Sequence, residues 1–148
     1  MIMIKLIHSY WAYLVVLLLV LAVVNSVIGL IKNKKFTDKD LRISLFSLIT
    51  IHIQLLLGFV VYYLSPFYES MREIGMGATM KDAGLRLYII EHPLMMVLAV
   101  VFITIGFSKH KKQKDDKGKF KTLAIFYGLA LLFVLSKIPW SQWLGLVN

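Results

Sequence analysis

The chain has 148 residues, 59% of them hydrophobic, no cysteine and a formal net charge of +9. Without thiols it has no disulfides, iron–sulfur ligation, thiolate zinc site or covalent c-type haem attachment, while a non-covalent haem held by histidine stays open. Its apolar excess over the roughly 45–50% of soluble domains falls in blocks, which leaves no room for a separate soluble domain; its lysines cluster between those blocks without interleaved aromatics, which argues against a nucleic-acid surface.

Four stretches of about 20 apolar residues have the length needed to cross a bilayer as helices. They are taken as spans over 8–31, 43–64, 87–107 and 122–138. The first is too long for a signal-peptide core and is read as a retained span. Thr37-Asp38-x-Asp40 has the form of an N-cap ahead of the second. Ser65-Pro66 ends that second span, and Tyr68 to Ile74 is expected to form a short surface helix closed by Gly75-Met76-Gly77. Gly118 is expected to break the lysine run before the fourth span.

The basic residues orient these spans. The first loop carries Lys32, Lys34, Lys35, Lys39 and Arg42, and the third carries Lys109, Lys111, Lys112, Lys114, Lys117, Lys119 and Lys121, together twelve of the seventeen lysines and arginines. The middle loop has only Arg72, Lys81 and Arg86. The positive-inside rule puts the first and third loops in the cytoplasm and both termini outside. Tyr10, Trp11, Tyr13, Tyr62, Tyr63, Tyr88, Trp140 and Trp143 then form an interfacial belt at the outer boundary. The expected fold is all-α: an integral membrane four-helix up-down-up-down bundle, N-out and C-out, in a bacterial inner membrane, with the lipid bilayer as its first partner.

Three histidines lie in or beside the spans: His8, His52 and His92. Polar groups in hydrocarbon are costly and usually carry a function. Helical spacing sets His8 on one stripe with Ala12, Val15, Leu19, Ala22 and Ser26, and His92 on one with Met95, Met96, Ala99, Ile103 and Gly106. Both stripes contain small residues of the kind that face other helices. His52 points away from the stripe of Ser47, Thr50, Gln54 and Gly58. Glu91-His92-Pro93 places an acid, a ligand-capable base and a backbone break in succession. Arg86, Lys137 or a cation of the middle loop are candidate partners for Glu91. The plainer alternatives are a packing kink at Pro93, an interfacial His8 and a His52 bonded to a neighbouring helix. His110 reads as a solvated member of the basic loop. Met71, Met76 and Met80 suggest copper(I) chemistry less than they suggest burial of a surface segment.

Two imidazoles on diagonal helices can take opposite faces of one haem b. His8 with His92 is favoured on placement, although counting along the helices offsets them by about 12 Å at 1.5 Å per residue. His52 with His92, offset by about 9 Å, is the alternate pairing. Arg86, Lys137 or Lys81 would neutralise haem propionates. A metal or quinone site of His8, Glu91 and His92 is a third arrangement. No nucleophile motif, phosphate loop or His-Glu-x-x-His occurs, and Glu91 is the one acidic residue within a span. An electron carrier or an accessory subunit is therefore expected rather than an enzyme.

His8-Ser9, Gln54-Leu55-Leu56-Leu57-Gly58, Glu91-His92-Pro93-Leu94-Met95-Met96 and Ile138-Pro139-Trp140 occur in this order across all four spans. In this the chain resembles a family of small four-span bacterial membrane proteins of Bacteroidetes type, labelled cytochrome b-like or uncharacterised. The resemblance implies a membrane cytochrome-like role with His8 and His92 as ligands and does not extend to His52. Haem b as cofactor, with a quinone or a membrane redox subunit as partner, is the expectation. A haem-free accessory or assembly subunit of a larger membrane complex is the alternative.

Overall fold

The first long helix, α1 (Ile2–Ile31), is apolar almost throughout, and small residues decide which side faces the protein. Val15, Leu19, Ala22, Ser26 and Gly29 recur at helical spacing and are its buried residues. Asn33, at φ 47°, ends it, with the Lys34 amide donating to the Gly29 carbonyl at 3.0 Å; asparagine is one of the few residues that take this left-handed conformation readily. The computed structural model describes residues 2–143, and every regular element among them is helical.

Helix α2 (Asp38–Tyr63) starts where its cap dictates. The Thr37 amide and hydroxyl donate to Asp40 Oδ2 at 2.8 and 2.7 Å. Asp40 Oδ1 accepts from Asn25 Nδ2 of α1 at 2.9 Å, so the cap also ties two helices together. The outer segment folds into α3 (Pro66–Ile74), α4 (Met76–Lys81) and α5 (Ala83–Arg86). Ser65 caps α3 by accepting from the Tyr68 amide, and Gly75, at φ 82°, makes the turn into α4. The surface helix thus begins at Pro66, and a second short helix follows Gly75 where a simple break was expected. A π-helical turn, Leu87–Glu91, leads into α6 (His92–His110).

Helix α7 (Asp116–Ser136) corrects the reading of Gly118. This residue sits in the first helical turn, and its amide donates to the N-cap Asp115 at 2.7 Å. A Cβ there would lie 2.6 Å from Asp115 Oδ1, so glycine leaves room for the cap, and the residue expected ahead of the fourth span lies inside its helix. The chain leaves α7 at Lys137, ahead of Pro139, and closes the described part with α8 (Trp140–Trp143). Helices extend past the apolar stretches at several ends because caps, rather than hydropathy, set their limits.

Four helical segments, Ile2–Ile31, Asp38–Tyr63, Ala83–His110 and Asp116–Ser136, are long and apolar enough to cross a membrane. Leu17, Leu21, Phe46, Leu56 and Leu132 point outward, a surface suited to lipid. Inside, α1 packs on α2 and α7, and α6 packs on α7, while the contact of α2 with α6 is the thinnest of the four seams. Neighbours run in opposite directions. Going up α1, Asn25, Trp11 and His8 meet Asp40, Thr50 and Gln54 of α2. His92 meets the Lys137 carbonyl just past α7, and Gly106 meets Phe126. Gly29 and Gly106 are close-approach positions: a Cβ on either would come within 2.4 Å of a phenylalanine of α7. The core centres on Leu19, Ala99, Ile103, Leu123, Tyr127 and Ala130. Tyr127 is fully buried and crosses the interior to donate to the Ser44 carbonyl at 2.8 Å.

Candidate functional site

The unusual chemistry collects at one end of the helices, and Pro93 explains how. Proline lacks an amide proton and crowds the carbonyl four residues back, so the helix ahead of it cannot stay regular. Here the chain widens into the π turn, and the His92 amide reaches the Leu87 carbonyl five residues back. Such turns occur mostly singly and often at functional sites. Around this turn the Glu91 carboxylate takes two cations: Arg86 Nε at 2.8 Å on Oε1 and Lys137 Nζ at 2.7 Å on Oε2. Arg86 also donates to the Met80 carbonyl at 2.7 Å, pinning the surface segment to the site.

His92 completes this network from the inside. Its Nδ1 lies 2.8 Å from the Lys137 carbonyl, which can only accept, so Nδ1 carries the proton. Lys137 is therefore gripped at both its ammonium and its backbone. In the neutral ring, Nε2 keeps a free lone pair, the arrangement in which a second-shell carbonyl fixes the tautomer of a metal-binding histidine.

Across the interior stands His8. The two ring centres are 6.5 Å apart with their planes at 79°. Two imidazoles bound to one metal at about 2 Å per bond hold their ring centres about 6 Å apart. The offset counted along the sequence has thus closed. Part of the reason is that α6 runs on to His110, so the level from which His92 was counted lies deeper than the apolar stretch suggested. Gln54 Nε2 donates to the His8 carbonyl at 3.0 Å and approaches His8 Nε2 at 3.5 Å. Gly58 lies beside the ring, where a Cβ would come within 3.3 Å of it. Two polar atoms at this point, His8 Nδ1 and Gln54 Oε1, are buried without a partner among the described residues. Gln54 had shown in the sequence only as one member of a polar stripe, and nothing local marked it as the neighbour of His8.

Other expectations are redirected. His52 does not join the pair: its Nδ1 donates to the Leu48 carbonyl at 2.7 Å and its Nε2 lies 3.3 Å from Thr104 on α6. Thr104 is twelve residues beyond His92, about 18 Å along a helix, which corrects the alternate pairing of His52 with His92. Among the described residues no three His, Cys, Asp or Glu side chains gather as a metal site, so the His8–Glu91–His92 trio is also corrected: Glu91 is turned to its cations. Lys81 makes no ion pair among the described residues, and Arg86 and Lys137 serve Glu91. His110 is buried, not solvated, and packs on Phe36 and Phe107. Met76 and Met80 are half-exposed and do not bury the surface segment.

Tyrosines and tryptophans cluster at the same end as the site. Tyr13 stacks on Trp143 at 4.3 Å, Phe67 on Tyr88 at 4.3 Å, and Tyr62, Tyr63 and Tyr68 form one cluster. Trp143 Nε1 donates to the Ser9 carbonyl beside His8 at 3.1 Å, which ties α8 to α1 next to the pair. Comparison of the chain with protein-family models, curated proteins and solved structures gives no match.

Proposed function

We propose that this chain is a small b-type cytochrome-like protein of a bacterial inner membrane, binding one haem near the outer face and exchanging electrons with a quinone or a partner subunit. One observation carries the reading: two imidazoles from non-adjacent helices stand with their ring centres 6.5 Å apart, a separation suited to a shared metal. The residues present fit a haem iron. His92 has its tautomer fixed by the Lys137 carbonyl, His8 has a buried nitrogen without a partner among the described residues, and Gly58 makes room for the His8 ring against α2.

In this reading His8 and His92 hold the iron, and Arg86 and Lys137 supply positive charge at the rim. The bound haem supplies one-electron chemistry. The protein's part is to fix both rings and balance charge with the Arg86–Glu91–Lys137 cluster. The fold is an up-down-up-down four-helix bundle with both termini outside. Support comes from the antiparallel contacts between neighbouring helices and from the lysine-rich loops sharing the end opposite the aromatic belt.

The test is a reduced-minus-oxidised spectrum of the protein purified after haem-supplemented expression. Soret and α bands are expected; their absence overturns the proposal. His92→Ala and His8→Ala should each remove most of the signal, while His52→Ala should keep it. A second reading, a haem-free accessory subunit, draws on the cluster that joins His92, Glu91, Arg86 and Lys137, which locks two helix ends with no guest needed. A silent visible spectrum together with a stoichiometric co-purifying subunit would favour it.

A further inference from the structure

The opposite end of the helices holds a second concentration of chemistry. A cavity of about 250 Å³ lies where the two lysine-rich loops meet, with Phe36, Asp38, His110, Lys111 and Lys119 in its wall. His110 is only 2% exposed. Its Nδ1 is turned to the Phe107 carbonyl, and its Nε2 has no hydrogen bond among the described residues. That nitrogen is not among the sealed, unpartnered atoms of the interior, so an anion in the cavity can reach it. The two lysines are held in place: the Lys111 ammonium lies 4.4 Å over the Phe107 ring and that of Lys119 lies 5.4 Å over Phe36. Phe36 in turn packs on His110 at 5.6 Å and on Phe120 at 5.1 Å, so rings and cations form one contiguous cluster.

We propose that this cavity binds a phosphate-bearing anion. Two ammonium groups outweigh the one carboxylate of Asp38, and the flanking loops add further lysines, so the local field favours negative charge. The volume, about eight waters at roughly 30 Å³ each, admits a phosphate with part of whatever carries it. Lys111 and Lys119 neutralise the anion, and His110, whose Nδ1 already donates to the Phe107 carbonyl, joins them as the imidazolium, donating from Nε2 to a phosphate oxygen. The source is either the headgroup of an anionic phospholipid, which basic pockets between membrane helices are suited to hold, or a free phosphate.

The experiment reads the ¹⁵N shift of His110 Nε2, assigned by its disappearance in His110→Gln. One arm titrates inorganic phosphate into protein in zwitterionic-detergent micelles. The other compares nanodiscs of phosphatidylcholine with nanodiscs containing phosphatidylglycerol. A saturable shift in the second arm alone identifies a lipid headgroup; a saturable shift with inorganic phosphate identifies the free anion. Lys111→Gln and Lys119→Gln should each weaken the response roughly tenfold, the size of one lost charge-assisted hydrogen bond, with thermal midpoint and near-UV circular dichroism unchanged. Both lysines flank the cavity from loop or helix-end positions, so the single variants keep the test decisive should the double variant fail to fold. The proposal is overturned if His110 responds to neither source, if it responds equally to matched chloride, or if both single variants respond like the parent.

Discussion

At the scale of single residues, Tyr127 shows how a membrane interior uses a polar tip. Tyrosine normally sits at the membrane boundary, where its hydroxyl stays wet. Here it is fully buried in the core and hands its proton to the Ser44 carbonyl. Ser44, itself buried, supplies the backbone acceptor from α2. Tyr127→Phe should therefore lower stability by about 0.5–1.5 kcal/mol, toward the low end that hydrogen bonds reach in membranes. The unfolding midpoint in detergent reads this directly; no shift would mean the tie contributes nothing. Gln54 and His110 carry the same lesson for recognition. Their residue types were visible in the sequence, but their partners, His8 on α1 and the Phe36 loop, are distant in the chain. A lysine-rich neighbourhood made His110 look wet, whereas aromatic rings brought in by another loop keep it dry.

At the scale of elements, the π turn links backbone to charge. Pro93 widens the helix, and the turn it creates carries Glu91 between Arg86 and Lys137. If the turn exists to place that carboxylate, Pro93→Ala, which restores an amide able to bond the Ile89 carbonyl, should loosen both ion pairs. Glu91→Gln removes them outright. Residues in one network couple by about 0.5–3 kcal/mol in double-mutant cycles, so the double variant should lose less stability than the sum of the singles. Simple additivity would separate the turn from the ion pairs. Much at this scale was legible. The Thr37–Asp40 cap, the stop at Ser65-Pro66 and the inward stripes of His8 and His92 all depend on local chemistry or helical period. The widened turn was not, because proline announces a disturbance but not its form. Gly118 misled for a related reason: glycine after a charge run reads as a break, and only the Asp115 carboxylate above it shows that the space is needed for a cap.

At the scale of the whole molecule, the lysine-rich loops lie at one end and the tyrosine and tryptophan clusters at the other. The proposed orientation follows from that polarity and can be read without a partner or cofactor. Because the chain has no cysteine, a single one introduced at Lys114 or at Ser70 is a unique reporter. In intact cells an impermeant maleimide should label Ser70→Cys and spare Lys114→Cys until the membrane is opened; the reverse pattern would invert the bundle. Four spans were legible from hydropathy alone, since length and apolarity are local quantities. Which helices touch most firmly was not, because seams are decided by glycines and serines whose value depends on what lies opposite.

Those seams are unequal. The hairpin of α1 with α2 and the hairpin of α6 with α7 join broadly where α1 meets α7 and only lightly where α2 meets α6. There His52 and Thr104 share a long contact of 3.3 Å. The two halves stand like the covers of a book, bound along one spine and merely touching at the free edge. Any breathing of the fold therefore opens toward the acyl chains on the His52 side, while the spine stays shut.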